Sequence, residues 1–408
     1  MALVAKVYDA TYTTLLRTLT LTDDLACQPM MSEPGAGGFT LPLTAPEHAA
    51  TLAAEISACA YRTIVRFEDG GVPVFAMVVR SKTVRRVDQG EEAAQQIDYD
   101  GPGTMALWSK AVWYPELGVE LDGVGLPIPY DTRHLTFAST LFDDSGWVAV
   151  NDVDLSGGGQ DAPANYPDGT AKKIRPGGDP LTDRDPEVFG VRKWFTTTGG
   201  DKTYRLVYTG DDGAEIWIDG VRVAGQVAPR MWQRTQEVDV RLRDGTHLIA
   251  IQGTNIDFPG TNFSWVVASL YELVDGGTTL GAVLIRTDNT WVGAQFGDTP
   301  PGFTPGEQAR IFLEEAQVRG ALAGWTLGCT DTHDSDGIAW GAAPASSYQI
   351  GLDGLSFLEQ LGEAAADILA DPASLTLDLW NLGTMGGSSG YTLTPGTNVG
   401  SLVNTGVV

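Results

Sequence analysis

The side chains with the clearest chemical potential lie in one stretch, YRLVYTGDDGAEIWIDGVRV, from residue 204 to residue 223. Asp211 and Asp212 place two carboxylates side by side between glycines, and such oxygen donors suit a polar ligand or a Ca²⁺ ion. Trp217 precedes Asp219 by two residues, and an indole ring near polar groups is a surface on which sugar rings stack. We therefore interpret Asp211, Asp212, Trp217 and Asp219 as candidate glycan-binding residues, with Asp211 and Asp212 also as candidate calcium ligands.

Each candidate also has a purely structural interpretation. Asp and Gly are favoured in tight turns for backbone reasons alone, so residues 210–213 also fit a solvated turn. Strand alternation points Trp217 outward, where it is either exposed or covered by a neighbouring strand or by the loop of residues 152–186. The sequence leaves both questions open.

Other motifs in the chain favour no catalytic chemistry. The acidic cluster before Trp340 lacks the glycine and the terminal glutamate of a calcium loop, so a polar loop is favoured; its members are Asp331, His333, Asp334 and Asp336. Residues 386–390, GGSSG, match the nucleophile-elbow pattern only formally, because they lie in a Gly/Ser loop rather than at a strand-to-helix turn. We predict no catalytic residue, and no cofactor beyond the candidate calcium ion.

The elements that would position these residues are short β-strands. Tyr204, Leu206 and Tyr208 alternate with more polar residues, as do Ile216 and Ile218, which is the period of a half-buried strand. The dipeptide at 219–220, Asp-Gly, is the type that a two-residue hairpin prefers, because both central positions need positive φ. Further strands follow at roughly ten-residue spacing, which predicts an antiparallel β-sandwich or jelly roll.

A resemblance extends this prediction. The run TGDDGAEIWIDGVRV, followed by DGTHLIAIQGTN, resembles the lectin-type jelly rolls that are related to the anthrax protective-antigen domain and to galactose-binding-like sandwiches. The similar part covers about residues 190–273. It implies a carbohydrate-binding-like sandwich, which we place at residues 134–275.

The flanking segments carry a second resemblance. Residues 98–115, DYDGPGTMALWSKAVWYP, follow a hairpin with a basic strand, and TPGEQARIFLEEAQVRG begins with a helix capping box. Two further segments follow in the order DTHDSDGIAW and GLSFLEQLGEAAADILADPASLTLDLWN. The second segment contains a helix predicted from Leu355 to Leu369. This order of parts resembles the minor tail or tail-hub proteins of long-tailed actinobacteriophages, which are similar to the baseplate hub of contractile tails.

The hub resemblance implies a domain order and a function. We expect a mainly β, multidomain chain: a hub-like β-barrel domain at 1–133, the inserted sandwich, a hub-like α+β domain at 276–390, and the start of an incomplete strand-rich segment at 391–408. The hub resemblance also implies that the chain is a structural virion protein at the tail tip, synthesised in the host cytoplasm. Its partners would be two further copies in a homotrimer, the distal tail and tape-measure proteins, and host-surface glycan.

Composition limits the alternatives. The chain has 408 residues and a formal net charge of −26, so it repels phosphate backbones and sequence-specific nucleic-acid binding is not expected. No apolar run approaches the roughly 20 residues of a membrane span. The competing interpretation is a virion-associated or secreted glycan-degrading enzyme with an accessory carbohydrate-binding domain.

Overall fold

A computed structural model describes most of the chain, in the following ranges: 3–20, 25–28, 33–42, 63–89, 92–113, 119–120, 132–156, 162–177, 187–227, 231–255, 264–274, 277–297, 300–341 and 343–384. The chain divides into two compact units. The first comprises Met1–Ala106, Gly324–Gly341 and Leu358–Val408, and the second Leu107–Ala323 and Ala342–Phe357.

The elements are mostly β-strands. The strands of the first half are β1 Leu3–Tyr8, β2 Leu15–Thr20, β3 Leu25–Gln28, β4 Ala36–Pro42, β5 Ile64–Asp69, β6 Val72–Val78, β7 Ser81–Gln89, β8 Glu92–Pro102, β9 Val119–Glu120, β10 Thr132–Leu135, β11 Val148–Ala149, β12 Asn151–Asp154 and β13 Lys172–Arg175. The later strands are β14 Glu187–Thr197, β15 Lys202–Asp211, β16 Gly213–Ile218, β17 Val221–Val227, β18 Gln236–Leu242, β19 Gly245–Asn255, β20 Trp265–Val274, β21 Thr279–Arg286, β22 Val292–Gly297, β23 Thr326–Leu327, β24 Ser346–Gln349, β25 Ala366–Ala370 and β26 Thr376–Asn381.

Helices are few. The α-helices of the described residues are α1, Pro305–Val318, and α2, Gly354–Ala364; short 3₁₀ helices cover Thr104–Lys110 and Met231–Gln233. Helix α1 begins as predicted, because Thr304 accepts a hydrogen bond from the Glu307 N–H while the Glu307 carboxylate accepts one from the Thr304 N–H. The predicted mainly β, multidomain class is confirmed.

The first unit combines both ends of the chain. Its sheets have the strand orders β2-β1-β5-β6, β3-β4-β8-β7 and β23-β26-β25. All three are open sheets, so no barrel forms among these described strands. The Tyr12 hydroxyl donates to the Pro372 carbonyl, and Arg66 Nη1 donates to the Ala373 carbonyl at 3.2 Å. Segments more than 300 residues apart in sequence therefore share this unit.

The second unit is an antiparallel sandwich. One sheet has the order β11-β22-β14-β19-β16-β17-β10-β24, and the other β12-β13-β20-β15-β18-β9, with β21 paired to β20. Apolar side chains of both sheets form one core; among them are Leu206, Ile216, Ile218, Ile249, Ile251, Val266 and Leu270. The hairpin between β16 and β17 turns at Asp219 and Gly220, whose φ angles of 49° and 77° are those that the predicted turn requires.

Three sequence expectations differ from the structure. The sandwich sheets continue beyond residue 275, because β21 and β22 pair with β20 and β14. Residues 152–186, described from the sequence as a loop, contribute β13 and the buried Tyr166 and Ile174. Helix α2 ends at Ala364, and the apolar residues that follow form β25 against β26, since a short apolar run suits a buried strand as well as a helix. The Gly/Ser stretch 386–390 and the segment 391–408 lie outside the described residues.

Candidate functional site

The two adjacent carboxylates lie where the chain passes from one sheet of the sandwich to the other. Asp211 ends β15, opposite Trp265, and β16 begins in the facing sheet directly after Asp212. The Asp212 N–H donates to the Thr254 carbonyl at 3.0 Å. Because this crossover sits between the sheets, Asp211 is only 1% exposed and Asp212 4%. Residues 210–213 are therefore not a solvated turn.

Burial makes this acidic pair electrostatically unfavourable. Loss of water around the carboxyl, followed by the negative charge of Asp212, raises the pKa of Asp211 to about 8. The fully buried Lys173 acts in the opposite direction and lowers the pKa of Asp211. Near neutral pH the pair therefore retains a proton unless a cation replaces it.

The donor set of the acidic pair suits a hard cation. The two carboxylates offer the oxygen atoms that Ca²⁺ prefers. Among the described residues, however, no group of three or more His, Cys, Asp or Glu side chains could hold a metal ion. Calcium binding at Asp211 and Asp212 stays a prediction.

Trp217 faces away from the inter-sheet core but is not exposed. Its neighbours Ile216 and Ile218 point into the core, so alternation places the indole on the outer face of the sheet, as predicted. There Phe137 packs edge-on against it, with ring centroids 5.6 Å apart, and only 5% of Trp217 is exposed. Of the two alternatives that the sequence leaves open, exposure and cover, the structure has the covered one.

The segment that covers Trp217 consists of residues 136–147. It is neither a neighbouring strand nor the loop of residues 152–186, the two covers considered from the sequence. It is anchored by the buried Arg192 of β14, which donates to the Ser139 carbonyl at 2.8 Å and the Phe142 carbonyl at 3.1 Å. Arg192 also pairs with Asp144 at 2.9 Å. The segment is rich in aromatic residues, which is the sequence feature that could have indicated a buried position on the sandwich.

Asp219 is directed into the protein. It is 1% exposed, its Oδ2 lies 2.7 Å from His247 Nδ1, and its Oδ1 accepts the Leu248 N–H at 2.7 Å. Burial lowers the pKa of His247, but the bonds to Asp219 and to the Arg243 carbonyl outweigh burial and raise that pKa overall. The Asp219–His247 pair secures the hairpin to β19 and presents no ligand-binding atom.

A cleft of about 270 Å³ opens beside Trp217 on the same outer face. Its floor consists of cross-strand pairs: Glu215 lies opposite Gln252, and Trp217 opposite Arg222. Arg222 forms an ion pair with Glu215, and Gln252 Nε2 donates to Glu215 at 3.4 Å. Sequence reasoning missed this group, since it requires the register of three strands.

The cluster before Trp340 behaves as a polar loop. Asp334 is 3% exposed, and its carboxylate accepts the Ile338 N–H and the Asn381 side-chain amide, each at 2.9 Å. It joins this loop to β26. Among the described residues, no helix has the length and apolar character to cross a membrane.

Comparisons with known proteins give only distant similarities. No protein-family model and no curated protein sequence matches the chain. A lectin from Pleurotus ostreatus is 21% identical over 36% of this chain and 38% of its own, with a TM-score of 0.26. An α-L-rhamnosidase from Streptomyces avermitilis, complexed with L-rhamnose, is 14% identical over 73% of this chain and 26% of its own, at 0.27.

The PA14 domain of the antifreeze protein MpAFP is 16% identical over 45% of this chain and 88% of its own, with a TM-score of 0.18. The match to the Pleurotus ostreatus lectin spans 38% of that lectin's length. With TM-scores below 0.3, none of these similarities shows what this chain binds.

Proposed function

We propose that this protein is a non-catalytic component of a phage tail tip, and that its sandwich binds host-surface glycan with calcium held at Asp211 and Asp212. The observation that carries the binding role is the buried pair of adjacent carboxylates at the sheet crossover. Without a cation, burial and the charge of Asp212 keep a proton on Asp211 near neutral pH. A divalent cation would replace that proton and compensate the charges of both carboxylates.

The acidic pair has the chemistry of calcium-mediated sugar recognition. Bound Ca²⁺ supplies coordination positions to which neighbouring sugar hydroxyls can bind. Asp211 and Asp212 would hold the ion, and Asp211 would lose its proton in doing so. Lys173 competes, because its ammonium already compensates part of the carboxylate charge, and it would keep the calcium affinity moderate.

The tail-tip role is supported by the path of the chain. The first unit contains parts of the chain from both sides of the sandwich in sequence, and this supports two flanking hub-like segments, although α1 belongs to the second unit. The bonds from Tyr12 to Pro372 and from Arg66 to Ala373 lie within that interrupted unit. The chain would act as a homotrimer that contacts the distal tail and tape-measure proteins.

A glycan array tests the binding role. Fluorescently labelled protein is applied once in about 1 mM Ca²⁺, which is near the dissociation constants of extracellular calcium-binding modules. It is then applied again in EDTA. We expect retention on a subset of glycans in calcium only, and loss of that retention in Asp211→Asn/Asp212→Asn. Retention that is equal in EDTA and in the double variant would refute it. Release of sugar from cell-wall polysaccharide would favour the enzyme alternative.

A mass measurement tests the tail-tip role separately. Light scattering on the purified chain, followed by negative-stain imaging, should give three copies in a ring. A monodisperse monomer at all concentrations, which also fails to bind purified tails that lack this protein, would contradict the assignment and leave the glycan-binding role standing.

A further inference from the structure

Lys173 of β13 is buried completely, which is rare for a lysine. Its Nζ lies 5.4 Å from the centroid of the Trp265 ring, and neither residue has any exposed surface. Lysine is seldom fully buried unless it is paired, because its ammonium is strongly hydrated in water. The amine therefore lies in a site that excludes water and that must contain groups able to compensate or remove its charge.

Strand register places Lys173 and Asp211 on the same face of one sheet. β20 lies between β13 and β15, with Ile174 paired to Val266 and Asp211 paired to Trp265. Ile174 and Val266 belong to the inter-sheet core, so their chain neighbours Lys173 and Trp265 lie on the opposite face. Asp211 shares that face because it lies directly opposite Trp265.

The side chains of Lys173 and Asp211 can meet on this face. β13 and β15 are two strand spacings apart, about 10 Å, which a lysine and an aspartate side chain together span. Tyr166 packs with Trp265 in the apolar cluster that covers the face, and this cluster keeps water out. Asp212, the next residue in the chain, shares a side-chain hydrogen bond with Asp211.

From this arrangement we infer that Lys173 and Asp211 condense to an intramolecular isopeptide bond, which ties β13 to β15. A buried amine, a carboxyl that it can reach and a second carboxyl that can carry protons are the groups that this reaction requires. The Asp211 carboxyl is protonated near neutral pH, and a neutral carboxyl is the form that an amine attacks. The product is a covalent cross-link between strands that β20 separates.

The condensation needs no further reactant. Asp212 takes one proton from the Lys173 ammonium, and the neutral Nζ then attacks Cγ of Asp211. The Nζ–Cγ bond forms and the bond from Cγ to the Asp211 hydroxyl breaks. Of the three ammonium protons, one stays on Asp212, one leaves with that hydroxyl as water, and one remains on the amide nitrogen.

The cross-link uses the same carboxyl as the proposed calcium ion but does not rest on that proposal. Condensation takes Asp211 in its protonated form, whereas calcium takes it ionised. A chain that holds calcium therefore keeps a free Lys173 amine, and removal of the ion permits the reaction. The amide would prevent β13 and β15 from separating when the chain is pulled.

Intact-mass spectrometry of the full chain tests the cross-link. The purified protein is incubated at pH 6 for several days in EDTA, and in parallel in calcium. We expect the EDTA sample to lose one water, about 18 Da, and its proteolytic digest to contain a branched peptide that joins Lys173 to Asp211. The calcium sample should keep the mass of the unmodified sequence.

Matched controls separate this amide from other losses of water. A succinimide at Asp212 and Gly213 has the same mass change, but hydroxylamine cleaves a succinimide and leaves an amide intact. Lys173→Arg keeps the positive charge without the reactive amine, and it should retain the full mass. Lys172→Arg, at the partly exposed neighbouring position of β13, should cross-link as the unsubstituted chain does.

The possible outcomes are distinct. A full mass after incubation in EDTA, or a loss of water that persists in Lys173→Arg, would overturn the inference. If Lys173→Arg fails to fold, the digest of the unsubstituted chain decides, because absence of the branched peptide overturns the inference and its presence supports it. A branched peptide that forms equally in calcium and in EDTA would support the cross-link and contradict calcium binding by Asp211.

Discussion

At the scale of single residues, burial acts most clearly on the carboxyl of Asp211. Its pKa is about 8 in the folded protein, against 3.8 ordinarily. Between these values the unfolded chain has released the proton while the folded chain keeps it. The free energy of unfolding therefore falls as pH rises from about 4 to 8, and this penalty is fully present above pH 8.

Asp211→Asn removes the titrating group and keeps its shape. In EDTA at pH 8 we expect the variant to be more stable than the unsubstituted protein by about 1–3 kcal/mol, a difference that shrinks towards pH 4. Urea unfolding at several pH values measures it. Asp201→Asn, in an exposed turn, is the control and should show no such slope. A variant that is less stable at pH 8 would contradict the raised pKa.

His247 gives a second pH-dependent contribution. Its pKa is raised by Asp219 and the Arg243 carbonyl despite burial, so the stability that it adds is complete below pH 6.5 and is lost as pH rises through the folded pKa. Asp219→Asn tolerates the positive φ of this turn but removes the charge. We expect it to cost about 2 kcal/mol at pH 6 and clearly less at pH 9 in urea unfolding. An equal cost at both pH values would exclude the ion pair.

At the scale of elements, the covering segment of residues 136–147 determines which part of the Trp217 indole is accessible to a ligand. It packs aromatic rings over the indole, and one buried guanidinium, that of Arg192, holds its carbonyls. Within the described residues, the cleft is the opening that sheet and cover leave beside the indole. The element therefore converts an outward tryptophan from a flat stacking platform into one wall of a cavity.

Arg192→Met should release this segment while filling similar volume. We expect the tryptophan emission to shift to longer wavelength and acrylamide quenching to rise, because the cover no longer excludes water from Trp217. The free energy of unfolding, measured by thermal denaturation, should fall by about 2–4 kcal/mol, since a buried charged network is broken. Lys193→Met, at the neighbouring position of β14, is the control. Unchanged emission from Arg192→Met would show that the segment is held by its aromatic contacts alone.

The elements also show what sequence reasoning can reach. The hairpin at Asp219, the capping box at Thr304 and most strands follow from local chemistry, and they lie where the sequence predicts them. The crossover at Asp211 does not follow, because a hairpin turn and a passage between sheets use the same Asp and Gly residues. The cleft floor needs the pairing of Glu215 with Gln252, which depends on register over a separation of 37 residues.

At the scale of the whole molecule, the chain combines a sandwich with a unit made from both of its ends. Each unit has its own apolar core, with 43% hydrophobic residues in the chain overall. The high negative charge favours solubility. In the proposed trimer, the three proposed glycan-binding sites would act together, and adsorption would gain strength through avidity.

The proposed glycan-binding role depends on calcium held by Asp211 and Asp212. Calorimetric titration of Ca²⁺ into metal-free protein at pH 7, in two buffers of different ionisation enthalpy, tests it most directly. We predict one site per chain, with release of up to one proton because Asp211 must ionise. Lys173→Met should increase the affinity, and Asp211→Asn/Asp212→Asn should abolish it. Absence of binding heat at millimolar calcium, or an unchanged isotherm in the double variant, would contradict the account.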